Sequence, residues 1–233
     1  MAKQVAILAG GAGDLGAGVT RALANAGTTV AVLDITPSTA DPAAARVIEC
    51  DVADQGACES AVQQVAGEFG GIDVLVNMAQ HFVVGTPLLD LTADDMFRSF
   101  DVGPVSAMRL MQLCHPYMKA RGGGTVINFA SGSGTGGALG QAAYAAAKEA
   151  LRGLTKTAAL EWGPDNIRVN AICPVATSKS DKTWLEWFKQ TSPLRRVGDP
   201  ESDIGGTVVF LAGPGGFITG RTLHVDGGMG IFR

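Results

Sequence analysis

Charge is scarce in this chain of 233 residues: charged side chains make up 17% against 46% hydrophobic, and the two signs nearly cancel at a net charge of -4. Without a basic surplus, a nucleic-acid surface is not expected. Cysteine is also thin, with Cys50, Cys58, Cys114 and Cys173 scattered and no CxxC pair among them. That spacing excludes a disulfide framework and favours a reducing compartment. The three histidines, His81, His115 and His224, stand too far apart for metal-ligand spacing, so no metal is expected. Long apolar runs are missing too. The uncharged stretch from Gly122 to Ala147 is broken by Gly and Ser, and MAKQVAILAGG is too short an apolar segment for a secretion signal. These absences predict a soluble cytoplasmic protein with no membrane partner.

Glycine is abundant instead, with 32 residues, and short apolar runs recur. VAIL, TVAVL, RVIEC, VLVN, TVINFA, IRVNAI and TLHVD read as strands. Between them, segments such as Leu15 to Ala26, Ala57 to Phe69, Thr92 to Ala120, Gln141 to Trp162 and Glu201 to Leu211 carry helical spacing. Strict alternation of strand and helix implies right-handed crossovers and a parallel sheet covered on both faces. The expected fold is α/β: one Rossmann-type doubly wound parallel sheet of about seven strands with helices on both faces. It forms one domain over residues 1–233, with a small lid at about 175–193.

The first strand runs into AGGAGDLGAG, and the helix follows directly. In that context a glycine loop becomes a candidate cradle for a nucleotide diphosphate, through Gly10, Gly13, Asp14, Leu15 and Gly16. Asp14 stands just before the first helical turn, where a short carboxylate can cap free N–H groups and favour the positive end of the helix dipole. The second strand ends at Asp34, followed by Ile35. A carboxylate there can accept both hydroxyls of an adenosine ribose and repels a 2'-phosphate, which favours NAD over NADP. Asp51 and Val52 close the third strand, either under the adenine amino group or simply in front of a helix.

YAAAK places Tyr144 and Lys148 one turn apart on one helical face, and Ser131 lies thirteen positions earlier at a strand end. A phenol ordinarily titrates at about 10, so service as a proton acceptor near neutrality requires about 3 kcal/mol of differential stabilisation. A neighbouring ammonium can supply it in a partly desolvated site. In the lid, Trp184, Leu185, Trp187 and Phe188 form an aromatic cluster. Trp184 and Trp187 either cover an apolar, cyclic or aromatic alcohol or pack the lid on the body. Ser133 and Gln141 are further candidates for polar substrate contacts.

Taken in order, AGGAGDLG, Asp34, DV at Asp51, NMAQ at Asn77, Ser131, YAAAK, IRVNAICP and FITGRTLHVDGG resemble the short-chain dehydrogenase/reductase family over essentially the full length. The resemblance implies a nicotinamide cofactor and interconversion of a hydroxyl and a carbonyl group. It assigns Tyr144 as general acid/base, Ser131 to orient the substrate oxygen, and Lys148 to lower the tyrosine pKa and bond the nicotinamide ribose. Asn77 and Ala79 are kept as cofactor-binding positions with Met78 and Gln80 in the wall under the adenine ribose and nicotinamide, while Pro174 and Thr177 flank the nicotinamide. Asp101 replaces the family's relay asparagine and keeps its backbone carbonyl, unless it is only a solvent-facing helix residue. Three further departures are Ala9 and Asp14 in the loop, Met78 and Gln80 in NMAQ, and Val175 after Pro174.

The family usually forms a homotetramer through the long helices around Arg109 and Tyr144 and the C-terminal strand. With an Asp34-type cofactor choice, oxidation of a secondary alcohol or dihydrodiol is the expected direction. The general resemblance to 3-oxoacyl carrier-protein reductases supplies an alternative function, although Arg121 alone offers a cation for an acidic carrier. An alternative of another class is a non-catalytic NAD-binding interaction protein.

Overall fold

The computed structural model describes residues 3–176 and 182–232. Seven strands, β1 (Val5–Ala9), β2 (Thr29–Asp34), β3 (Arg46–Glu49), β4 (Val74–Asn77), β5 (Gly124–Phe129), β6 (Ile167–Pro174) and β7 (Thr222–Val225), form one sheet in the order β3-β2-β1-β4-β5-β6-β7. Every pairing is parallel. The expected doubly wound sheet is present.

Strand periodicity explains the two core layers. In β1, Val5, Ile7 and Ala9 face one side while Ala6 and Leu8 face the other. The first layer packs under α2 (Gln55–Phe69), α4 (Ser106–Ala120) and α6 (Ala142–Trp162) through Val62, Leu110, Met118 and Ala158. The second packs under α1 (Asp14–Asn25) and α8 (Gly206–Ala212) through Val19, Leu23, Val208 and Leu211. Both faces are buried, which is why the strands read as continuous apolar runs rather than alternating ones.

The segment Thr92 to Ala120, expected as one helix, is two. Thr92 and Asp95 form a reciprocal capping box that starts α3 (Ala93–Phe100), and a wide turn of π type, Asp101–Val105, then joins it to α4. Pro104 is the physical reason: it has no N–H to continue the ladder, and the Ser106 N–H reaches back to the Asp101 carbonyl instead. Ser106 Oγ adds bonds to the carbonyls of Val102 at 2.6 Å and Gly103 at 3.1 Å.

A second π-type turn, Pro200–Gly205, lies directly against α1. A Cβ on Gly18 would stand 2.4 Å from the Pro200 carbonyl carbon, so only glycine permits this approach. Strand order reverses between β1 and β4, and the crevice outside their carboxyl ends is where a ligand of this topology binds.

Candidate active site

At that crevice lies a cleft of about 1100 Å³. The glycine loop forms one end of it. Gly10, at φ +75°, donates to the Leu33 carbonyl at 2.8 Å, and a Cβ there would sit 2.6 Å from the Ala79 backbone. Gly16 allows α1 to close on the loop, since its Cβ would stand 2.3 Å from the Gly11 carbonyl oxygen. Gly13 differs: nothing lies within 4 Å of a Cβ built on it, so this backbone is open toward the cleft.

Asp34 ties the loop to the second strand. Its Oδ2 accepts from Ala12 N at 2.9 Å and its Oδ1 from Thr36 N at 2.9 Å. Each oxygen retains accepting capacity for a ribose hydroxyl. Ile35, Asp51 and Val52 line the same end. Arg109 Nη1 at 2.5 Å and Cys58 Sγ at 3.5 Å both donate to the Val52 carbonyl, fixing the chain there. Asp51 Oδ1 accepts from Ala53 N at 2.9 Å, and the cap of α2 is Asp54, three residues on.

Asp14 departs from its expected position. The residue before α1 is Gly13, with no side-chain cap, and Asp14 is the first residue inside the helix. A first-turn carboxylate still complements the positive helix end. The N-terminus of α1, the open Gly13 backbone and the Asp34 carboxylate together fit a nucleotide diphosphate with an unphosphorylated ribose.

Ser131, Tyr144 and Lys148 meet at the other end of the cleft. Ser131 caps the short helix α5 (Gly132–Gly136), its Oγ accepting from Ser133 N at 3.1 Å. Lys148 is fully buried, donates to the Phe129 carbonyl at 2.7 Å, and holds its Nζ 5.6 Å from the centre of the Tyr144 ring. Burial pushes this ammonium down to about 8. Burial also holds the Tyr144 phenol above its ordinary value, opposed by hydrogen bonding with Ser131; the Cys173 thiol, itself pushed up to about 11 by burial, reinforces the rise. Burial, Ser131 and Cys173 are the influences on this phenol in the protein alone, and burial is the largest of them.

Ser133, Gln141, Leu15, Ala79, Asp101 and Pro174 also line the cleft. The Asp101 side chain is exposed, and its carbonyl accepts from Ser106 N across the π-type turn. Met78 and Gln80 stand in the wall where the sequence places them. Asn77 does not reach the cleft. It is buried behind it, where Nδ2 donates to Asn128 Oδ1 at 2.8 Å; Asn128 in turn donates to Thr155 Oγ1 at 3.0 Å, a polar chain joining β4, β5 and α6.

Of the two roles the sequence leaves open for Trp187, lining the cleft is not the one seen. It lies on α7 (Lys182–Thr191), half-exposed and away from the cleft, while Phe188 packs inward. Thr177 and the side chain of Trp184 lie outside the described residues. Sequence reasoning missed Phe82, which lines the cleft with its ring 4.7 Å from that of Tyr144 at 81°. The available signal was position: an aromatic residue in the loop leaving β4 at the sheet's switch point. Among the described residues no group of three or more His, Cys, Asp or Glu is placed to hold a metal, and no helix is long and apolar enough to cross a membrane.

Such a cleft on such a sheet defines a class of nicotinamide-dependent oxidoreductase. The family model described as Enoyl-(Acyl carrier protein) reductase matches residues 10–230, and the chain belongs to the short-chain dehydrogenase/reductase family. It is 43% identical over 210 residues to the 12alpha-hydroxysteroid dehydrogenase of Clostridium sp., covering 85% of this chain and 74% of that protein. To the trans-4-hydroxycyclohexanecarboxylate dehydrogenase of Sinomonas cyclohexanicum it is 32% identical, covering 98% of this chain and 93% of that one. The crystal structure of NAD+-bound xylitol dehydrogenase superimposes with a TM-score of 0.88 at 30% identity, covering 97% of this chain and 98% of that chain. The protein is an oxidoreductase of this family acting on alcohol and carbonyl groups.

Proposed function

We propose that the chain is an NAD-dependent dehydrogenase that interconverts a secondary alcohol and its ketone, with oxidation the working direction. The observation that carries this reading is the placement of Ser131, Tyr144 and Lys148 at one end of a cleft whose other end presents Asp34 and an open helix terminus. Asp34 supports NAD over NADP because its carboxylate is held toward the ribose position by two backbone amides. The likeness to an NAD+-bound relative agrees.

A bound nicotinamide supplies the carbon that takes up or gives back the hydride. Everything else falls to the chain. Tyr144 Oη takes the substrate hydroxyl proton during oxidation and returns it during reduction. Ser131 Oγ orients the same oxygen, and the buried ammonium of Lys148 stabilises the phenolate that accepts the proton in oxidation and that reduction leaves behind. The added positive charge of an oxidised nicotinamide offsets the desolvation that raises Tyr144 in the protein alone.

The carrier-protein alternative weakens at Arg121, whose guanidinium makes two 2.9 Å bonds to Asp73 and so is committed within its own chain. We further take the chain to be one domain, cytoplasmic and homotetrameric. Exposed Phe97, Val105 and Met108 on α3, the π-type turn and α4 support self-association there.

Initial rates with NAD+ and NADP+ over a panel of cyclic and acyclic alcohols, followed at the nicotinamide absorbance, test the reading. NAD+ turnover with a Tyr144→Phe variant that binds cofactor yet turns over at least about a hundredfold more slowly is expected. A tenfold preference for NADP+ would overturn the role of Asp34. Tight NAD+ binding without turnover of any alcohol or ketone would favour a non-catalytic binding protein.

A further inference from the structure

Phe82 combines two properties: the residue is 56% exposed, yet its ring packs edge-to-face on the buried phenol of Tyr144. A large apolar ring left open inside a cleft costs free energy unless a ligand covers it. The loop that carries it is tied to the tyrosine's own helix. Thr86 N donates to the Gly140 carbonyl at 3.3 Å, and Gly140, at φ +68°, has no room for a Cβ wider than 3.0 Å from the Gly85 backbone. Gly140 lies two residues before α6, so the position of Phe82 follows the position of Tyr144.

We propose that Phe82 is a positioning and specificity residue: it holds the Tyr144 phenol edge-on, screens it from water, and forms the wall on which the hydrocarbon ring of an alicyclic secondary alcohol lies. This rests on the secondary-alcohol reading above and deepens it. An alicyclic ring presents a flat face of C–H groups that an aromatic face can cover, whereas an open-chain polyol must give up water from its hydroxyls to lie there.

Screening the phenol has an effect separate from substrate contact. The groups facing Tyr144 are Ser131 at the end of β5, Lys148 one turn along α6 and Cys173 on β6, with His81 and Asp101 on the adjoining cleft walls. Of these surroundings, burial is the largest influence on the phenol, and Phe82 is the part of it that a substitution can remove without touching a polar partner.

The test uses Phe82→Ala and Phe82→Leu in the full chain, each verified as folded by thermal melting. With NAD+, Phe82→Ala is expected to lower kcat/KM for cyclohexanol about tenfold more than for propan-2-ol, the difference lying in KM and at the upper end of what an aromatic contact contributes. Phe82→Leu, which keeps bulk, should recover part of the loss. Independently of turnover, tyrosinate absorbance with Tyr144→Phe as the blank isolates Tyr144 from Tyr117, the only other tyrosine. That titration should move to lower pH in Phe82→Ala and return toward wild type in Phe82→Leu. Equal losses on both alcohols, or an unmoved titration, would overturn the proposal. If wild type turned over neither alcohol, the secondary-alcohol reading would fall instead, and the substrate-free titration would still decide the placement of Phe82.

Discussion

Two ionisable groups on one helical turn are both held by burial toward their neutral forms, Lys148 downward to about 8 and Tyr144 upward. For Lys148 the consequence for stability has a definite sign. Below pH 8 folded and unfolded chains both carry the proton, and the folded state bears the full cost of a buried ammonium. Between about 8 and the ordinary 10.5 the unfolded chain binds a proton that the folded chain does not, so stability rises with pH. The whole span amounts to roughly 3 kcal/mol. Urea unfolding of wild type and Lys148→Met at pH 7 and pH 10 should show wild type gaining on the variant at the higher pH; an equal response would mean that Lys148 is not desolvated. The pair itself was legible in the sequence, because YAAAK fixes helical spacing. The direction of the Tyr144 shift was not, since spacing reports which groups are neighbours and says nothing of how dry the site is. Asn77 illustrates the same limit: the motif located it in sequence but gave no sign of its buried hydrogen bond to Asn128 on the next strand.

The elements themselves were readable where burial is simplest. Strands covered on both faces spell continuous apolar runs, and these were found within a residue or two of their observed ends. What escaped was the break between α3 and α4, where apolar spacing continues through Pro104 while the hydrogen-bond ladder does not. Close approaches between elements were equally silent, although two glycines make them testable. Gly18→Ala should cost about 1 to 3 kcal/mol, because its Cβ would strike Pro200 backbone in the turn packed on α1. Gly67→Ala on α2, where nothing lies within 4 Å of the added carbon, should instead stabilise by up to about 1 kcal/mol through helix propensity. Thermal melts of the two variants shifting in the same direction would contradict this packing.

At the scale of the molecule, the doubly wound parallel sheet was the most secure inference, because alternation and crossover handedness leave few parallel topologies open. The substrate wall was the least secure, since the lid's tryptophans advertise themselves in sequence and Phe82 in a loop does not. The switch point between β1 and β4 gathers Gly10, Ala12 and Asp34 into a loop already braced by the Leu33 carbonyl and the Asp34 carboxylate. That bracing concerns time as well as shape. A cradle held shut before its ligand arrives has no rearrangement to wait for, so in stopped-flow mixing the capture of ADP-ribose, the cofactor without its nicotinamide, should be one exponential whose rate climbs linearly with ligand concentration. Asp34→Ala, which releases the amide of Ala12, should bend that line to a plateau as loop ordering becomes the slow step.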